Sequence, residues 1–126
     1  MNIDSKETEL IIMKFGGSCL KDPQTFLQTK EIIDHFYEES NLIIVCSAIN
    51  GVTDLLIEFY DEACNPQSKC EKILNEIENI HNALIDNLFD IKGIEYKKCT
   101  EFLEQNYSEL AQLGHIIRLI RPSLDI

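Results

Sequence analysis

Lys14, Gly16, Gly17 and Ser18 stand directly behind an apolar run, Leu10 to Met13. A lysine is a compact point charge suited to phosphate. Glycines lack a Cβ, so their backbone N–H groups can approach a ligand closely. Together they fit a strand that ends in an anion-binding loop. A tight turn behind a core strand, with Lys14 merely solvated, accounts for the same residues. The stretch is neither a Walker loop nor Gly-x-Gly-x-x-Gly. A second group of small and hydroxyl residues, Ser47 to Thr53, follows another apolar run and could bind a polar substrate.

The flanking sequence supplies the elements that must hold these residues. Leu10 to Phe15 reads as a strand, and its unbroken apolar start predicts burial on both sides. Asp22-Pro23 is a helix start, with Asp22 at the N-cap and Pro23 at the first helical position. Phe26, Ile33, Phe36 and Tyr37 share one face of that helix, with Thr29 and Ile32 beside them, and it should end near Ser40-Asn41. Leu42 to Cys46 is rich in β-branched residues and reads as a second strand. Strand, helix, strand at this spacing predicts two parallel strands with a right-handed crossover. Gly16-Gly17 and the Ser47–Thr53 loop then meet at the carboxyl ends of the strands, where open α/β sheets bind ligands.

Thr53 is placed to cap a helix from Asp54 to about Ala63, which Asn65-Pro66 stops. Ser68-x-x-Glu71 reads as a capping box. It opens a long amphipathic helix with Ile73, Ile77, Ile80, Leu84 and Leu88 on one stripe and Leu74, His81 and Ile85 beside it, ended by Lys92-Gly93. His81 reads as a structural, partly buried histidine. A last helix begins near Glu95, carries Cys99, Phe102, Leu103, Tyr107, Leu110, Leu113 and Ile117, and ends or bends at Pro122.

Composition narrows the partners. The 126 residues are 44% hydrophobic and 26% charged, an ordinary globular balance. Eleven basic against 22 acidic residues give a net charge of −11. Such a chain, with no basic run, is not expected to bind nucleic acid or an anionic membrane. Cys19, Cys46, Cys64, Cys70 and Cys99 are odd in number and without metal-ligand spacing, as are His35, His81 and His115. Reduced thiols, and a polar acidic start that is no signal peptide, lead to the expectation of a cytoplasmic protein. Two parallel strands make a narrow sheet, so the pattern reads as the opening of a larger α/β domain.

With both loops placed, the sequence resembles the aspartate kinases of the amino-acid kinase family. Lys14-Phe15-Gly16-Gly17-Ser18 is similar to that family's Lys-Phe-Gly-Gly-Thr/Ser. Ser47-Ala48-x-x-Gly51-Val52-Thr53-Asp54-Leu55-Leu56 is similar to its Ser-Ala-x-x-Gly-Val/Ile-Thr-Asn/Asp-x-Leu. Ile80-His81-x-x-Leu84-Ile85 resembles part of the helical insert, and Arg121-Pro122-Ser123-Leu124-Asp125 the stretch before a Ser-x-Gly-Glu element. Ser18-Cys19 stands where Thr-Ser is more usual, so a thiol replaces the second hydroxyl.

The resemblance implies the N-terminal portion of an amino-acid-kinase-type parallel or mixed sheet with flanking helices, followed by a helical insert. Residues 1–126 would be a partial kinase domain: a tail over 1–9, both substrate loops within the strand-helix-strand-helix segment 10–66, and a helical segment over 67–126. The implied reaction is ATP-dependent phosphorylation of the L-aspartate side-chain carboxylate, the first step toward lysine, threonine and methionine. Lys14 would be catalytic and, with Gly16, Gly17 and Ser18, would hold the phosphates of ATP. Ser47 and Thr53 would hold aspartate. Mg2+ would be needed, with its ligands mostly beyond residue 126, so this piece alone is expected to be inactive. The full-length form would be a homo-oligomer. Two alternatives stay open: an amino-acid kinase acting on a glutamate-type substrate, and a catalytically dead product that serves as a binding or assembly subunit.

Overall fold

The computed structural model describes residues 8–65 and 69–121. In order these form β1 (Leu10–Phe15), a 3-10 turn (Gly17–Cys19), α1 (Pro23–Tyr37), β2 (Asn41–Cys46), α2 (Val52–Ala63), α3 (Cys70–Leu88) and α4 (Ile94–Ile120). The fold is α/β, with a two-stranded parallel sheet and four helices. The chain divides into two compact units between Asn50 and Gly51. No helix among the described residues is long and apolar enough to cross a membrane.

The first unit is the β1–α1–β2 crossover. Its helix starts where Asp22-Pro23 directs. The Asp22 carboxylate accepts from the Thr25 N–H at 2.9 Å, and the Thr25 hydroxyl oxygen accepts from the Asp22 N–H at 3.0 Å. Two otherwise orphaned donors are thereby satisfied reciprocally. The strands pair in register from Leu10 with Asn41 to Phe15 with Cys46. Ile11, Met13 and Phe15 therefore share one side of the sheet with Leu42, Ile44 and Cys46. The other side carries Leu10, Ile12, Lys14, Asn41, Ile43 and Val45.

Burial on both sides is not what these residues achieve. Phe15 is buried, but Leu10, Ile12, Ile43 and Val45 are 58%, 66%, 47% and 47% exposed. The physical reason is layer count: two strands and one helix supply too few neighbours for a sheet with two apolar sides. On α1 the buried position is Thr29, flanked by half-buried Phe26 and Ile33, while Tyr37 at the helix end is 71% exposed. The Thr29 hydroxyl donates to the Cys19 carbonyl at 3.0 Å, which answers for its buried oxygen.

The second unit packs α2, α3 and α4 against one another. Val52, Phe59 and Ala63 form the buried stripe of α2, and Cys70, Ile73, Ile77, Leu84 and Ile85 that of α3. Tyr107 and Gly114, two turns apart, are the buried positions of α4. His81 is structural: its Nδ1–H donates to the Ile77 carbonyl at 2.8 Å, and its ring meets Tyr107 edge-on at 6.0 Å.

Three helix ends differ from the sequence reading. Gly51, not Thr53, is the N-cap of α2, and no side chain caps that end. Starting at Val52 places that residue on the stripe with Phe59 and Ala63, where it is only 5% exposed. Burying a valine is worth ~1.5–3 kcal/mol, more than the ~1 kcal/mol of a side-chain cap. Ser68 lies outside the described residues, and α3 begins at Cys70 with Lys69 at its N-cap. The Lys69 N–H donates to the Glu62 carboxylate at 3.0 Å. Finally, α3 ends at Leu88 rather than at Lys92-Gly93. Asp90 builds a local turn there, its carboxylate accepting from the Lys92 N–H at 3.0 Å and its carbonyl from the Gly93 N–H at 2.7 Å. Such Asx turns compete with helix continuation.

Candidate active-site loops

The residues expected to hold phosphate sit on a loop fixed from several directions. Beyond Phe15, Gly16 continues extended at φ −80°, ψ 179°. The 3-10 turn then closes through two bonds, Cys19 N–H to the Gly16 carbonyl at 3.0 Å and Leu20 N–H to the Gly17 carbonyl at 3.1 Å. Leu20 is buried and anchors the end of the turn. The N–H groups of Gly17 and Ser18, which open the turn, have no acceptor among the described residues. They are the donors an incoming anion could use.

The second loop begins beside the first. The Ser47 N–H donates to the Phe15 carbonyl at 2.9 Å, one step beyond the strand ladder. The Asn50 N–H donates to the Leu20 carbonyl at 3.1 Å. Gly16, Gly17, Ser18 and Ser47 thus gather at the carboxyl ends of the two parallel strands. Lys14 is exposed and belongs to the open side of β1, opposite Val45 in register. Ser18 and Ser47 are also exposed. Thr53 belongs to the second unit, on the exposed first turn of α2.

The two glycines of the loop differ in what they permit. A Cβ on Gly16 would meet nothing within 4 Å, whereas one on Gly17 would lie 3.2 Å from Asn50 Oδ1 and 3.6 Å from Asn50 Cα. Gly17 is therefore small because Asn50 lies against it. The sequence reading passed over Asn50; the available signal was the Asn50-Gly51 pair, a turn dipeptide, and Gly51 does adopt a φ of +87°.

The second unit has its own groove, between α3 and α4, of about 440 Å³. Glu78, Asp86 and Glu104 line it, with no Lys, Arg or His. The Tyr96 hydroxyl donates to Asp86 at 2.8 Å. The Tyr107 hydroxyl is buried without a partner among the described residues, and burial, aided by the Glu78 charge, pushes its pKa up to about 12. Three carboxylates are the wrong charge for a polyphosphate, so this groove is not where ATP phosphates belong. Among the described residues no three His, Cys, Asp or Glu side chains converge to hold a metal ion. By themselves these residues do not fit a magnesium site.

Comparison with known proteins gives the family. The model of the amino acid kinase family matches residues 9–118. The aspartokinase of Chlamydia pneumoniae is 33% identical over 115 residues, covering 85% of this chain and 25% of that protein. The bifunctional aspartokinase/homoserine dehydrogenase of Haemophilus influenzae is 28% identical over 121 residues, covering 90% of this chain and 15% of that protein. The bifunctional enzyme of the same name from Buchnera aphidicola is 24% identical over 115 residues, covering 90% and 14%. The chain thus spans between a seventh and a quarter of the length of these relatives, with both loops inside the stretch that the family model matches. The chain belongs to the amino acid kinase family.

Proposed function

We propose that the protein to which these residues belong is an aspartate kinase, transferring the γ-phosphoryl group of ATP to the side-chain carboxylate of L-aspartate. The observation that carries this reading is the gathering of the glycine turn and Ser47 at the carboxyl ends of two parallel strands, where α/β sheets bind ligands. A carboxylate oxygen attacks the γ-phosphorus, the bond to the β-phosphate oxygen breaks, and ADP leaves with an acyl phosphate as product. At pH 7 the acceptor is already ionised, with a pKa near ~4, so no general base is required. The protein's part is positioning and neutralisation of charge. Lys14 opposes charge on the transferring group. Gly16 and Gly17 offer backbone N–H groups, and Ser18 a hydroxyl, to the phosphates. Ser47 and Thr53 hydrogen-bond to aspartate. Mg2+ would supply charge neutralisation at the phosphates, and among the described residues no cluster of three carboxylate, His or Cys side chains is present to hold it.

These 126 residues alone are expected to give no turnover, because phosphoryl transfer needs phosphate and metal ligands in place together. The open apolar side of the strand pair supports a second reading, a non-catalytic assembly subunit. Trapping the acyl phosphate as a hydroxamate separates the two. The product of the complete coding sequence should form hydroxamate with ATP and aspartate, and not with glutamate. In that protein Lys14→Ala should lower kcat about 100-fold or more, while Thr53→Ala should chiefly raise KM for aspartate. Preference for glutamate overturns the substrate. Absence of turnover with every amino acid favours the assembly subunit, and turnover by the 126-residue chain overturns its inactivity.

A further inference from the structure

We propose that Asn50 is a third part of the phosphate site, beside Lys14 and the glycine turn. Its neutral carboxamide holds the turn in its anion-accepting form and borders the bound anion. This rests on reading the Gly16–Ser18 turn as a phosphate loop.

Asn50 is fixed to that turn at two points. Its N–H is bonded to the Leu20 carbonyl, at the end of the turn. Its side chain and Cα lie over Gly17, filling the space a side chain at position 17 would take. The carboxamide is nonetheless exposed and makes no side-chain hydrogen bond among the described residues. A carboxamide offers two donors and an acceptor without charge. One placed against the turn whose Gly17 and Ser18 N–H groups are open can share an anion with them. An aspartate there would have almost the same shape and the opposite effect, repelling the anion at close range.

That near-isostery makes the idea testable apart from packing. ATP and inorganic tripolyphosphate are titrated calorimetrically into the product of the complete coding sequence and its Asn50→Ala, Asn50→Ser and Asn50→Asp variants, each checked by thermal melting. The expected order of affinity for both anions is Asn, then Ser and Ala about fivefold weaker, then Asp at least ~10-fold weaker than Asn. The Asp deficit should shrink as salt rises from 20 to 500 mM, while melting temperatures of the Asn and Asp forms agree. A role in packing alone predicts the reverse, with Asp like Asn and Ala the weakest, and that result overturns the inference. So does equal affinity in all variants that fold. If the wild-type protein binds neither anion, the phosphate-loop reading itself fails, and the silent wild type distinguishes that outcome from failure of Asn50 alone.

Discussion

Replacing Gly16 by alanine separates a glycine needed by the fold from one needed by a ligand. The backbone at Gly16 is extended, with φ −80°, and any L-residue can adopt it. An added Cβ meets no atom within 4 Å. The substitution should therefore not strain the chain. It removes unfolded-state freedom, which is worth ~0.4–1 kcal/mol in favour of the alanine form, or a rise of about 2–5 °C in Tm. If the glycine is there because a phosphate approaches the backbone, the methyl group occupies the ligand's space. Losing one hydrogen bond to a charged group costs ~1.5–3 kcal/mol, which is about 10- to 150-fold in Kd. Gly17→Ala is the matched control. Its Cβ would press on Asn50 Oδ1 at 3.2 Å, so it should lose about 1 kcal/mol of stability as well as binding. Thermal melts read by circular dichroism, with calorimetric titration of ATP, measure both quantities. A Gly16→Ala chain that melts higher and binds ATP as wild type does would refute close backbone approach at this residue.

Other tests bear on the helices. Gly114→Ala would place a Cβ 2.7 Å from Cζ of the 3% exposed Phe59. Overpacking of ~1–3 kcal/mol against a helix-propensity gain of ~1 kcal/mol leaves a net loss of about 1 kcal/mol in urea unfolding, relieved by a second change, Phe59→Leu. Tyr107→Phe removes a buried hydroxyl without a partner and should stabilise by about 1 kcal/mol. Because the folded Tyr107 titrates near 12 against 10 in the unfolded chain, its share of stability is intact below pH 10 and falls as pH rises between the two; the Phe variant should lack that alkaline loss. The Thr25 N–H holds the Asp22 carboxyl below its usual value of 3.8. The advantage of wild type over Asp22→Ala should therefore be full above about pH 5 and fade as pH falls through the lowered folded value, read from thermal melts between pH 2.5 and 6.

What the sequence conveyed well was whatever local chemistry decides. Asp22-Pro23 starts α1 because a carboxylate and a proline suit those two positions whatever lies nearby. The parallel pairing of β1 and β2 follows from strand, helix and strand at that spacing. Local signals failed where packing had a larger stake. Thr53 looked like a cap by type, but burial of Val52 moved the helix start to Gly51. Lys92-Gly93 looked like a helix stop, but the Asp90 turn had already ended α3.

The glycines show why the site itself was only half legible. In the sequence, Gly16, Gly17 and Gly51 are the same letter. In the fold, Gly51 is required by its φ of +87°, Gly17 has Asn50 lying on it, and Gly16 meets no such need among the described residues. A position that no internal contact explains is where an external one is to be sought, because glycine without a structural need costs unfolded-state entropy for no return. Asn50 is the complementary case. Asn50-Gly51 marked a turn, but the place of Asn50 against the loop depends on Gly17, more than thirty residues earlier in the chain. Only the parallel register, which sets the end of β2 beside the end of β1, brings the two together. Among the described residues Lys14 is also explained by neither burial nor pairing: it is an exposed cation on an apolar strand, at the end where the open N–H groups gather. On the proposed reading, one bound anion would account together for a glycine with no packing need, a carboxamide without a side-chain partner among the described residues, and an exposed lysine at one strand end. Apart, each would need its own explanation.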